Sequence, residues 1–245
     1  MKILAKSMHA SLRESRSALK SVLGLYPSLY FPLLHLVGSP RRHLHVRRDT
    51  EIVIEGYPRS ANTFAVAAFL LAQCRPVKIA RHLHAPAQVI QGVRWRIPVL
   101  VLIRRPEDAV LSLLVREPRL SAKRALIDYI RFYEKISAYR SYFVLATFEE
   151  VIMDFGAVIQ RVNWRFGTSF AIFEHTEENV ERVFQLVEKM DKEDTGKTKV
   201  TETTVARPSE YRESIKRVRS KELYQPSVAE LLHRAKDVYQ RMAEE

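Results

Sequence analysis

Between Glu51 and Phe64 the β-type run Ile52-Val53-Ile54 passes through a polar turn, Gly56-Tyr57-Pro58-Arg59-Ser60-Ala61-Asn62, and enters an apolar stretch that begins at Thr63. A strand, a tight turn and a helix start, in that order, make an anion cradle. The turn lets several backbone N–H groups point at one place, and the free N–H groups and positive dipole end of the helix favour a bound phosphate or sulfate. Against the ATP/GTP pattern of Gly, four residues, Gly-Lys and Ser or Thr, Gly56 falls first, Ala61 at the second glycine, Asn62 at the lysine and Thr63 last. The nucleotide lysine is missing. So is the metal-holding acid, because the apolar run Val99–Ile103 ends in Arg104-Arg105 rather than Asp. The negative charge of a nucleotide would here be met by side chains.

Tyr57-Pro58-Arg59-Ser60-Ala61-Asn62-Thr63-Phe64 resembles the 5′-phosphosulfate loop of sulfotransferases that use 3′-phosphoadenosine 5′-phosphosulfate (PAPS), whose usual pattern is Tyr-Pro-Lys-Ser-Gly-Thr-Thr-Trp. Ile103-Arg104-Arg105-Pro106, with Ser112 eight residues after Arg104, is similar to that family's 3′-phosphate motif. His82-Leu83-His84-Ala85-Pro86 lies between the two, where the family carries Lys-Thr-His-Leu-Pro with its catalytic base. The three matches stand in family order from Glu51 to Ser112. The resemblance implies an α/β, P-loop-like three-layer domain with a central parallel sheet flanked by helices. It also implies a metal-independent enzyme that moves a sulfuryl group from PAPS to a hydroxyl and releases adenosine 3′,5′-bisphosphate.

Such a transfer needs a base for the acceptor proton, positive charge on the leaving phosphate and a grip that aligns donor with acceptor. Arg59 stands at the family's loop lysine, to stabilise charge on the sulfuryl group and leaving oxygen. A guanidinium keeps its proton, so the exchange favours electrostatic over acid catalysis. Ser60, Ala61, Asn62 and Thr63 would give backbone and side-chain donors to the 5′-phosphate, and Phe64 stands at the family's adenine-side Trp. Ser60 or Asn62 as a simple helix cap, Phe64 as plain core and Arg59 as a solvated turn residue are the bland alternatives. His84 is the candidate base, with His82 its rival. Arg104 and Ser112 would clamp the 3′-phosphate, although a small residue on a packed helix is common in itself.

Two departures from the family pattern stand out. The tyrosine of its Tyr-Glu-Asp segment is replaced by Phe148, before Glu149-Glu150, and its C-terminal Arg-Lys-Gly loop has no counterpart. Arg207, Ser209 or Arg212, after a polar segment, could supply the nucleotide contacts instead, or could simply begin a helix.

The elements that position these residues follow from periodicity. Strands are expected at Ile52–Glu55, Val77–Ala80, Val99–Ile103 and Tyr142–Ala146, and helices at Thr63–Cys74, from Pro106, and over Ala122–Tyr139. Further helices are expected around Ile159–Phe166, stopped by Gly167, around Val180–Val187, near Ser209–Ser220 and after Pro226. Between Lys192 and Pro208 the pattern dissolves into an expected exposed loop, a candidate lid. Residues 1–50 read as a basic and apolar helical arm, too broken by Pro27, Pro32 and His35 to span a bilayer, and 51–245 as the α/β domain. The arm would either pack on the domain or lie on an anionic membrane.

Length and charge fit this picture. The 245 residues suffice for one α/β domain, and the single Cys74, expected as a buried thiol, suits a reducing, cytoplasmic compartment, with peripheral membrane contact through the arm. A net charge of +12 fits a polyanion-handling enzyme, and fits a nucleic-acid or membrane binder as well. No zinc-finger, RNA-binding or helix-turn-helix pattern supports nucleic acid, which is the weaker reading. A divergent nucleotide kinase is the enzymatic alternative. The acceptor, a small molecule or a glycan or lipid hydroxyl, is not written in the motifs.

Overall fold

Strands apolar on both sides dominate the centre of the chain, as a parallel sheet covered on each face requires. The structure, a computed structural model, describes residues 19, 21–38, 42–195 and 209–244, with the backbone alone for 191–195. In chain order the elements are α1 (Pro27–Leu36), β1 (Ile52–Gly56), α2 (Asn62–Ala72), β2 (Ile79–Arg81), α3 (Pro86–Arg94), β3 (Val99–Ile103), α4 (Pro106–Arg116) and α5 (Ala122–Ser137). There follow β4 (Val144–Thr147), α6 (Phe148–Met153), α7 (Phe155–Phe166), α8 (Glu177–Thr195), α9 (Glu210–Leu223) and α10 (Pro226–Glu244).

The four strands pair in parallel in the order β2-β1-β3-β4. Alternation sorts their side chains into two cores. Val53, Val99, Val101, Ile103 and Leu145 face one side and pack with α3, α4, α5 and α10. Ile52, Ile54, Leu100, Leu102, Val144 and Ala146 face the other and pack with α2, α7 and α8. The result is the expected three-layer α/β arrangement. From β1 the chain crosses to β2 on one side and then returns to β3 on the other, so the loops after β1 and β3 leave adjacent strand ends. That reversal is where open α/β sheets form a ligand crevice. Gly56 pairs with Leu102 at this edge, and a Cβ there would lie 2.3 Å from the Leu102 carbonyl oxygen, so only glycine lets the two strands close.

Element boundaries shift in physically interpretable ways. Cys74 is exposed rather than buried, because α2 stops at Ala72. The Gln73 side chain bonds the Phe69 and Ala171 carbonyls and receives the Ala171 N–H, and Pro76 disfavours helical backbone at Arg75. The second strand starts at Ile79 rather than Val77, and the fourth at Val144, after a 3₁₀ turn over Arg140–Tyr142. Helix α8 continues past Lys192 to Thr195, so the expected loop begins later, and residues 196–208 lie outside the described residues.

Candidate functional site

The turn after β1 is held in a conformation that side-chain-bearing residues avoid. Arg59 and Ala61 adopt left-handed backbone, with φ of 70° and 65°, at a cost of about 1–3 kcal/mol each. Three tethers hold it. Asn62 Nδ2 donates to the Tyr57 carbonyl (2.9 Å), the Tyr57 hydroxyl donates to the Ala125 carbonyl (2.9 Å), and the Tyr57 N–H donates to the Tyr133 hydroxyl (3.3 Å). The Tyr133 hydroxyl in turn donates to the Leu102 carbonyl at 2.8 Å, and Ser60 Oγ lies 3.5 Å from it. One turn earlier on α5, the Tyr129 hydroxyl donates to the Arg104 carbonyl (2.7 Å). A single helix thus sets the register between the turn after β1 and the end of β3.

The two regions meet in space. Arg59 Nε donates to Ser112 Oγ at 2.9 Å, and Arg104 Nη1 donates to the Arg59 carbonyl at 3.3 Å. Arg212, on α9, reaches the same serine through Nη2, 3.2 Å from Oγ and 3.4 Å from the carbonyl oxygen. With two guanidinium groups on its acceptor side, the Ser112 hydroxyl is left to donate its own hydrogen. The Arg104 guanidinium lies 3.7 Å over the Phe148 ring, which offers it a stacking face.

These groups line a cavity of about 690 Å³, together with Pro58, Ala61, Asn62, Thr63, Phe64, His82 and His84. Arg59, Arg104, Arg116, Arg212 and Lys216 face it, against the carboxylates Glu117 and Glu213, of which Glu213 pairs with Lys216 at 2.5 Å. Burial pushes Arg104 below the ordinary arginine value, and burial followed by the neighbouring Arg116 does the same to Arg212. Asp108, Glu149 and Glu213 oppose the fall at Arg104, and Glu213 opposes it at Arg212. The volume lies within the range of nucleotide-sized sites. Among the described residues no group of three or more His, Cys, Asp or Glu side chains forms a metal cage.

The two histidines differ in tautomer. His84 Nδ1 lies 2.8 Å from the Gly56 carbonyl, which can only accept, so Nδ1 carries the hydrogen and Nε2 the lone pair. His82 Nδ1 lies 3.2 Å from Arg81 Nη1, which can only donate, so Nδ1 is the acceptor and a neutral ring carries its hydrogen on Nε2. Only His84 therefore presents a basic nitrogen on the side away from its backbone anchor. Its backbone is left-handed, with φ of 51°.

Behind His84 sits Glu55, wholly buried on β1. Its Oε2 accepts from the Leu83 N–H and from Gln88 Nε2, both at 3.0 Å, and its Oε1 lies 3.5 Å from His84 Nδ1. Burial pushes its carboxyl up to about 8, with the hydrogen bonds from Gly56, Leu83, His84 and Gln88 opposing the rise. The folded protein therefore holds this proton from the ordinary carboxyl value of 4.5 up to about 8, while the unfolded chain releases it. The contribution to stability is full below pH 4.5 and lost as pH rises towards 8. Glu55→Gln, which mimics the neutral acid, is expected to remove a slope of up to about 1.4 kcal/mol per pH unit across that window. Urea melts of both proteins at stepped pH measure it; parallel curves would refute a raised Glu55.

Comparison with known proteins gives little. No family model matches the sequence, and no curated protein matches it. Among solved structures, the crystal structure of mouse sulfotransferase SULT7A1 complexed with PAP is similar at 10% identity with a TM-score of 0.39, over 77% of this chain and 90% of that one. A likeness so distant carries no weight beside the geometry.

Not every candidate from the sequence reaches the cavity. Ser60 is buried beneath the turn against Tyr133, and Ser209 caps α9 by accepting from the Arg212 N–H at 3.3 Å. Phe64 is mostly core, its ring 5.8 Å from that of Phe184, with an edge on the cavity. Arg207 lies outside the described residues. Sequence reasoning missed Glu55, Gln88, Tyr129, Tyr133, Arg116 and Lys216. Glu55 had a signal, since a carboxylate inside an otherwise apolar strand is rarely buried without a purpose. The tyrosines had none, because on α5 they read as ordinary members of an apolar face.

Proposed function

We propose that the chain is a PAPS-dependent sulfotransferase acting on a hydroxyl acceptor. The observation that carries this reading is the 2.9 Å contact between Arg59 and Ser112, residues of two separate sequence motifs that meet in one cationic cavity beside His84. Bound there, the phosphosulfate would supply an activated sulfuryl group and a phosphate leaving group. His84 Nε2 takes the proton of the acceptor hydroxyl as its oxygen bonds to sulfur, with Nδ1 held on the Gly56 carbonyl so that the ring does not rotate. The bond from sulfur to the 5′-phosphate oxygen breaks with its electron pair on that oxygen. Arg59 and the N–H groups at the start of α2 meet the charge. Arg104, Ser112 and Arg212 hold the 3′-phosphate, and the Phe64 edge borders the base. The acceptor is a small molecule or a glycan or lipid hydroxyl.

Calorimetric titration tests the donor site without knowledge of the acceptor. Adenosine 3′,5′-bisphosphate is expected to bind without added metal and at least about tenfold more tightly than 5′-AMP, the equivalent of one charge-assisted contact. Tighter binding of Mg²⁺-ATP than of the bisphosphate would favour a kinase and overturn the proposal.

A further inference from the structure

Helix α1 and the turn before it carry an apolar face that the rest of the described protein does not cover. Leu19, Val22, Tyr26, Leu29, Leu33 and Leu36 follow one another at alternating spacings of three and four, and each is exposed, Leu36 by 84%. The chain turns at Gly24–Tyr26, so helical spacing sets the face only within α1, where Leu29, Leu33 and Leu36 share one side, while Leu19 and Val22 lie before the turn. With Val37 they make up seven of the fifteen exposed large apolar residues among the described residues, within nineteen positions. Scattered apolar residues need no explanation; so many exposed within one short segment do. The opposite face of α1 is in use, since Tyr30, Phe31 and Leu34 pack on Leu83, Ala85 and Ala87. The helix is therefore fixed to the protein and its stripe points outward.

Charge identifies what the stripe would meet. From Ser15 to Arg48 the chain has no carboxylate and six Lys or Arg residues. Arg42 is exposed beside the end of α1, where it donates to the His35 carbonyl at 2.7 Å, and Arg47 and Arg48 are exposed beyond it. On the other flank Lys135 lies 4.3 Å over the Tyr26 ring. Asp128, which accepts from Ser21, is already paired with Arg124 at 2.8 Å. A helix anchored by one apolar side, with exposed leucines on the other and cations nearby, suits the interface of an anionic bilayer, where each nearby Lys or Arg adds to the attraction. A second copy suits it less well, because a seam between two such surfaces would bring like charges together, with Asp49 and Asp128 already paired to Lys78 and Arg124. No helix among the described residues is long and apolar enough to cross a membrane.

We infer that Leu19 and residues 21–37 dock this protein on the surface of an anionic membrane, with Leu29, Leu33 and Leu36 entering the headgroup layer. Because the buried face of α1 packs on the segment that holds His84, docking would bring that histidine close to the bilayer. The inference does not depend on the proposed activity.

Vesicle co-sedimentation tests it with the full chain. Binding to phosphatidylcholine vesicles that contain about 30 mol % phosphatidylserine is expected to exceed binding to pure phosphatidylcholine by more than about tenfold, and to weaken as salt rises. The triple variant Leu29→Glu, Leu33→Glu, Leu36→Glu is expected to lose vesicle binding and keep the wild-type melting curve and bisphosphate affinity, since all three side chains are exposed. No vesicle binding by the wild type, equal binding by the variant, or a wild-type dimer that the three substitutions dissociate would each overturn the inference, the last in favour of self-association.

Discussion

His84→Ala is expected to lower sulfuryl transfer by about 10²–10⁴-fold, the usual worth of a positioned general base, and to leave bisphosphate binding unchanged within about twofold. The separation follows from the geometry. His84 is fixed through Nδ1 to the Gly56 carbonyl, whereas the contacts among Arg59, Arg104, Ser112 and Arg212 do not pass through it. His82→Ala is expected to cost less than about tenfold, because its Nδ1 is taken by Arg81 and a neutral ring has no lone pair on Nε2. Transfer from radiolabelled donor to an acceptor found by screening gives the rates, and calorimetry gives the binding. If His82→Ala is the damaging change and His84→Ala is tolerated, the base has been misassigned. Glu55 adds a finer signature. Its carboxyl near Nδ1, able to ionise near pH 8, can offset the charge that His84 gains on taking a proton. Glu55→Gln removes that countercharge only where Glu55 is ionised, so its effect on turnover is expected to be small near neutral pH and to grow as pH rises through about 8.

What could be read in the sequence, and what could not, divides along physical lines. The order of strands and helices was legible because alternation and helical periodicity are local, and the anion cradle because it lies within a dozen consecutive residues. Arg104 and Ser112 were legible as a pair because eight residues of strand end and helix separate them. Their meeting with Arg59 was not, since it depends on β1 and β3 being neighbours and on α5 bonding both loop ends through Tyr129 and Tyr133. The choice between His82 and His84 was closed to sequence for a similar reason. It turns on which ring nitrogen faces a donor and which an acceptor, and the Gly56 carbonyl comes from a segment 28 residues away. Cys74 failed as a core residue because a helix end is set by tertiary partners, here Gln73 with Ala171, as much as by composition.

Arg104→Ala is expected to weaken adenosine 3′,5′-bisphosphate binding by roughly 10- to 150-fold, the range of one hydrogen-bonded charge, and to leave 5′-AMP binding nearly unchanged. The preference for a 3′-phosphate would largely vanish. The expectation follows from its surroundings: the side chain stacks on Phe148 and leans on the Arg59 carbonyl, and burial, opposed by Asp108, Glu149 and Glu213, makes its charge costly. Its removal should therefore leave the melting temperature of the ligand-free protein unchanged or slightly raised, while the added stability conferred by the bisphosphate falls. Arg104→Lys is expected to recover only part of the affinity, because an ammonium supplies a point charge and cannot present a planar fork while stacked on a ring. Titration of both nucleotides into the three proteins, with melts alongside, separates a lost phosphate clamp from a damaged fold. Equal weakening of 5′-AMP and the bisphosphate would mean that Arg104 serves the whole nucleotide, and that the 3′-phosphate is held elsewhere.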